Sequence, residues 1–194
     1  MPNWIPFLVI LLVSTLTPGP NNILSMSRAA QVGFKKSFRM NLGMFAGFLV
    51  VTGSIAIFDH FLVSALPLLK PILQYAGAAY ILWLAWSIAF GNSKKAAAQT
   101  NAGSFLTGFA MQFINPKVII FGLTMISTFV TPYYSSALAL AGFTFLISFM
   151  GFTATCCWGL FGSVFSKLFI EHEKVMNRIL AVLLAGSAIS LFFE

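Results

Sequence analysis

Two short stretches hold most of the polar chemistry of this chain. Thr17, Pro18, Gly19, Pro20, Asn21 and Asn22 interrupt one apolar run, and Gln112, Asn115, Pro116 and Lys117 interrupt another. Proline removes a backbone donor and clashes with the turn before it, while glycine accepts conformations that other residues avoid, so Pro-Gly-Pro does not continue an ordinary helix. A half-helix restarting after Pro20 would have its first N–H groups at Asn21, Asn22 and Ile23, at the positive end of the peptide dipole. That is a seat for a carboxylate. Carbonyls left open before Pro18 and around Ile114 and Asn115 suit an ammonium group, to which the side-chain amides of Asn22, Gln112 or Asn115 can add. The expected ligand is therefore a zwitterion. Lys117, ionisable within an apolar run, is a candidate partner for the carboxylate or, when desolvated, a proton carrier; the plainer reading is a side chain that snorkels to an interface.

The elements that position these residues must sit in lipid. A 194-residue chain that is 59% hydrophobic and 8% charged, with a mean hydropathy of +0.92, cannot hide its apolar surface inside a soluble globule of that size. Charge-poor runs of spanning length predict six helices, at 4–27, 40–58, 71–90, 104–130, 136–165 and 175–193. The net charge of +7 would suggest nucleic acid in a soluble chain, but here the basic residues cluster between spans. Arg28, Lys35, Lys36, Arg39, Lys94, Lys95, Lys167, Lys174 and Arg178 fall in the connections after the first, third and fifth spans, whereas the opposite connections hold Lys70 alone. The positive-inside rule makes the basic side cytoplasmic and puts both termini outside, with no nucleic-acid partner implied. No basic region precedes the first apolar run, so a cleavable leader is not expected. The adjacent Cys156 and Cys157 read as small buried apolar side chains.

The interruption recurs at half the chain length. Setting residue 7 against residue 105 places Pro18 opposite Pro116 and Thr17 opposite Asn115, each in the first span of its half. Three spans per half reverse the second copy relative to the first. The fold expected is an all-α membrane protein of six helices in two inverted three-helix repeats, about 1–91 and 104–194, with the first helix of each broken and a polar linker at 92–103. Unpaired backbone groups in lipid cost several kcal/mol each, roughly, so both breaks must face protein or a wet cavity. Gly43 and Gly47 form a GxxxG pattern suited to close packing, within the bundle or across a homodimer interface.

The "TPGPNNIL" at Thr17–Leu24, "GAAYILWLAW" at Gly77–Trp86 and "QFINPK" at Gln112–Lys117 resemble the lysine-exporter (LysE/RhtB) family of small bacterial amino-acid exporters, and within it the cysteine and O-acetylserine branch. The resemblance runs over nearly the whole chain. It implies a multi-pass inner-membrane exporter with no cofactor, and it marks Thr17, Pro18, Gly19, Pro20, Asn21, Asn115, Pro116 and Lys117 as motif positions. The chain has only four acidic residues, Asp59, Glu171, Glu173 and Glu194, and a long cationic substrate would want a buried carboxylate. Small neutral amino acids fit better, with homoserine and threonine export the nearest competitor.

Other classes leave less trace. An enzyme needs a nucleophile–base or metal constellation, and His60, His172 and the paired cysteines form none. A small channel or a subunit of a larger complex remains as an alternative. No Gly-rich nucleotide motif supports direct ATP drive, which leaves a gradient or facilitated diffusion. Asp59 and Lys117 are the candidate coupling groups, with a solvated helix end as the plainer place for Asp59.

Overall fold

The computed structural model describes residues 4–90 and 104–192, and within them not the side chains of residues 60, 63, 65–67, 69 and 70. The predicted linker at 92–103 lies outside the described residues. Helices run from Trp4–Leu16 (α1), Pro20–Val32 (α2), Phe34–Phe90 (α3), Phe105–Ile114 (α4), Pro116–Leu123 (α5), Ala137–Val164 (α6), Ser166–Glu171 (α7) and Glu173–Ser190 (α8). A π-turn, Thr124–Thr128, continues α5.

Local sequence explains the boundaries. Ser104 and Ser136 cap α4 and α6, their side chains accepting from the N–H groups of Thr107 and Ala139. Gly33 ends α2 at φ 83°, a left-handed value that a residue with a side chain resists. The backbone of α3 stays helical throughout except at Phe58 (φ −101°, ψ 16°), so the second and third predicted spans are joined by helix across a kink rather than by a loop.

Three segments are long and apolar enough to cross a membrane, Phe34–Asp59, Pro71–Phe90 and Ala137–Val164. Two bent pairs make five: α1 with α2 at 42°, and α4 with α5 and its π-turn at 63°. Both predicted breaks are thus real bends. The remaining predicted span corresponds to α8, which begins with Glu173, Lys174 and Arg178 and is uncharged only from Ile179 onward. Its apolar part is shorter than the roughly 20 residues of an upright span.

Two apolar clusters flank the breaks. Phe7 and Leu11 of α1 pack with Phe48, Val51, Phe121, Ile126 and Ile147, while Ile23 and Met26 of α2 pack with Ile81, Ile120, Leu180 and Leu184. Each half of the first broken helix therefore belongs to a different core. In lipid, apolar contact alone holds helices weakly, and close backbone approach supplies much of the rest. A Cβ on Gly43 would lie 1.9 Å from the Phe105 carbonyl oxygen, and one on Gly108 would lie 2.1 Å from that of Met40. Gly47 faces Phe109 and Gln112 in the same way. The GxxxG pattern is thus occupied inside the bundle, by α4.

Candidate functional site at the two helix breaks

The first break satisfies its own backbone. The carbonyls of Val13 and Ser14 accept from the N–H and hydroxyl of Thr17, at 2.9 and 3.0 Å. The Asn22 side-chain amide donates to the carbonyls of Thr15 and Thr17 at 2.8 and 2.9 Å, and the Trp158 indole N–H donates to that of Leu16 at 3.1 Å. Carbonyls expected to stand open for an ammonium are therefore already taken. Asn22, 6% exposed, clamps the break from the restarted helix. An Asn22→Ala chain should melt at lower temperature, having lost two buried bonds worth about 1–3 kcal/mol together, as nanoscale fluorimetry of purified protein would read.

The second break is tighter, and its cap reveals how the halves correspond. Asn115 is the N-cap of α5, its side-chain oxygen accepting from the Lys117 N–H at 3.2 Å, and Pro116 is the first helical residue. In the first half the N-cap is Gly19 and the first helical residue is Pro20. By role, Pro116 corresponds to Pro20, two positions beyond the Pro18 that the sequence comparison placed opposite it.

Side chains then tie one break to the other. Asn21 and Gln112 exchange amide bonds at 2.8 and 3.2 Å, and Asn115 donates to the Asn21 oxygen at 3.0 Å. The Lys117 ammonium donates to the Thr17 hydroxyl at 2.8 Å. Gly19 makes room for it, since a Cβ there would lie 3.0 Å from Lys117 Cδ and 3.3 Å from Nζ. Thr17, Gly19, Asn21, Gln112, Asn115 and Lys117 thus meet across the two breaks, whereas Asn22 bonds within the first break and Pro116 lies against Gly77 of α3. Gln112, fully buried, also donates to the Gly108 carbonyl and acts as the brace between halves.

Beside this network lies a cleft with about 530 Å³ of empty space, part of it continuous with the outside. Its lining is partly polar, from Thr15, Thr17, Asn21, Asn115, Lys117 and Thr155 among others, and partly aromatic, from Phe45, Phe48, Phe121 and Phe152. Gly19 and Pro20 line it, whereas Pro18, Pro116 and Gln112 do not. Among the described lining residues, Lys117 is the one that carries a charge. Two helix N-termini meet beside it, so the local field is positive from three sources and favours an anionic group. The aromatic lining suits a short uncharged side chain.

The phenylalanine lining and Thr155 carry no signal that sequence reading could isolate, because the chain has 22 phenylalanines and Thr155 sits in an unbroken apolar helix. Gly151 on α6 was equally silent, though a Cβ there would come within 2.8 Å of the Phe48 ring. The cysteines differ from expectation: Cys156 is half-buried and accepts a weak bond from Asn41 at 3.7 Å, and Cys157 is exposed. Asp59 lies apart, buried at the α3 kink under the hydroxyls of Ser127 and Thr131 rather than at a solvated helix end.

Comparison with known proteins bears on what this arrangement does. Residues 12–194 match the model of the family described as "LysE type translocator". Over 182 residues, covering 94% of this chain and 93% of theirs, the sequence is 40% identical to proteins called "Cysteine/O-acetylserine efflux protein" from Escherichia coli strain K12, Escherichia coli O157:H7 and Shigella flexneri serotype 5b. No solved structure matches the chain.

Proposed function

The chain belongs to the LysE type translocator family, and from that premise we propose that it exports small neutral amino acids and derivatives, cysteine and O-acetylserine foremost, across a bacterial inner membrane. It is a multi-pass membrane transporter, not an enzyme. Transport proceeds by alternating access about the two breaks, driven by a gradient. The substrate carboxylate is drawn to Lys117 and the converging helix N-termini, and its short side chain rests on the phenylalanine lining. Its ammonium takes the hydroxyl oxygens of Thr15 and Thr155, which line the same cleft. The observation that carries this reading is the joining of both breaks in one polar network beside a cleft whose charge is positive.

The same reading takes α8 as the sixth span, the two halves as inverted repeats, and the basic connections as cytoplasmic, with both termini outside. A homodimer would need a face other than Gly43 and Gly47, which α4 covers.

The test is counterflow. Purified protein in liposomes preloaded with one unlabelled compound should exchange labelled cysteine and O-acetylserine saturably, and lysine poorly for want of an acidic partner in the cleft. Faster exchange of homoserine and threonine would move the assignment to that sister activity. Flux without saturation or exchange would point to a channel, and no flux of any of these to a subunit role.

A further inference from the structure

We propose that Asp59, Ser127 and Thr131 form a proton-exchange site, separate from the substrate cleft, through which export is coupled to a proton gradient; the inference rests on the reading of the chain as a gradient-driven exporter. Asp59 is 7% exposed and sits next to the non-helical Phe58 in α3. The Ser127 hydroxyl donates to one carboxylate oxygen and the Thr131 hydroxyl to the other, the latter at 2.7 Å. Among the described residues it makes no ion pair; the one ion pair there is Lys167 with Glu171.

The hydroxyl partner lets both states be satisfied. Thr131 Oγ1 lies 2.7 Å from the carboxylate and also 3.3 Å from the Ile126 carbonyl oxygen. With the carboxylate ionised, the Thr131 O–H points to Asp59. Once Asp59 takes a proton, its own O–H donates to Thr131, and the threonine proton turns to Ile126. One hydroxyl rotation thus accommodates the proton that neutralises Asp59 without orphaning a polar atom, which is what repeated loading and release require.

Against Asp59 stand the π-turn and the connection that follows it, where the titratable groups are the phenols of Tyr133 and Tyr134; α1 holds none, and α6 holds only the thiols of Cys156 and Cys157. His60 follows Asp59 in the chain, and its side chain lies outside the described residues.

A mechanical link to the substrate is built in. Ser127 belongs to the π-turn that continues α5, and Lys117 is at the other end of that same half-helix. Ten residues of helix span about 15 Å, so protonation acts on one end of a rod whose other end forms the cleft. The π-turn is where that rod can change register, and the kink at Phe58 is where α3 beside it can bend.

Proteoliposomes holding the full chain separate coupling from exchange. With equal pH on both sides, Asp59→Asn should exchange cysteine within about twofold of the unmodified protein, but accumulation driven by a pH gradient should fall about tenfold or more, as for loss of a proton relay. Thr131→Val should share that defect and Thr131→Ser should not; this pair decides the matter should Asp59→Asn fail to elute as a single species. Undiminished pH-driven accumulation in Asp59→Asn or Thr131→Val would overturn the site, as would equal loss of exchange and drive in a well-folded variant. So would drive by a sodium gradient at equal pH. Exchange by the unmodified protein with no pH drive overturns this inference alone, whereas absence of any exchange removes the exporter reading beneath it.

Discussion

A Lys117→Met chain should reach the membrane at the normal level and lose cysteine counterflow by about 10- to 100-fold, the equivalent of the roughly 1.5–3 kcal/mol of a charge-assisted hydrogen bond. Lys117 is the charged group that lines the cleft, its ammonium 2.8 Å from the Thr17 hydroxyl on the opposite break. Methionine keeps the length of the stem and removes the charge, so packing against Gly19 survives while the attraction for a carboxylate does not. Lys117→Arg is the sharper probe. The stem already passes where a Gly19 Cβ would come within 3.0 Å, and a guanidinium is broader than an ammonium, so arginine should recover only part of the activity despite its charge. Full exchange by Lys117→Met would place the carboxylate elsewhere and reduce this lysine to a strut between the breaks.

The second large effect is on assembly. Gly43→Ala and Gly108→Ala should each greatly reduce the yield of monodisperse protein in detergent, because each new Cβ meets backbone, at 1.9 Å from the Phe105 oxygen and 2.1 Å from the Met40 oxygen. Backbone cannot rotate aside as a side chain tip can. Helices α3 and α4 must separate, at a cost of about 3 kcal/mol or more for overpacking, and Gln112 on α4 would be drawn away from Asn21. Gly142→Ala and Gly186→Ala, with nothing within 4 Å of the new atom, are the controls and should behave as the unmodified protein does. Size-exclusion chromatography of fluorescent fusions reads all four; normal elution of Gly43→Ala would mean that the α3–α4 crossing is looser than described.

Both breaks, and the residues that meet there, were legible because proline and glycine act locally: they forbid a continued helix whatever surrounds them. Lys117 stood out for the same reason, as a charge in an apolar run. The partners of the break were less legible, since the clamp from Asn22 back to Thr15 and Thr17 and the indole bond from Trp158 depend on how the chain turns and on which helix lies beside it. The matching of Pro18 to Pro116 followed letters, whereas the equivalence of Pro20 and Pro116 follows cap geometry that letters do not encode. The cleft's aromatic lining was invisible in a chain where phenylalanine is everywhere. Asp59 was placed at the end of the second span, where the structure also has it, but its burial was not foreseen, because its hydroxyl partners lie 68 and 72 residues away in the chain.

The division of the first broken helix between two cores gives the molecule the properties of a lever. Helix α1 is 13 residues long, about 20 Å, and joins α2 through Pro18 and Gly19, its buried side chains packed in a different cluster from those of α2. A change of about ten degrees in the 42° bend would carry its far tip about 3 Å while displacing the cleft beside the pivot hardly at all. A fulcrum is the quietest point of any lever. In the proposed exporter, a ligand held there would keep its contacts while the outer ends of the half-helices move, with the gearing between a small turn at the centre and a wide gap at the surface set by the lengths of those half-helices.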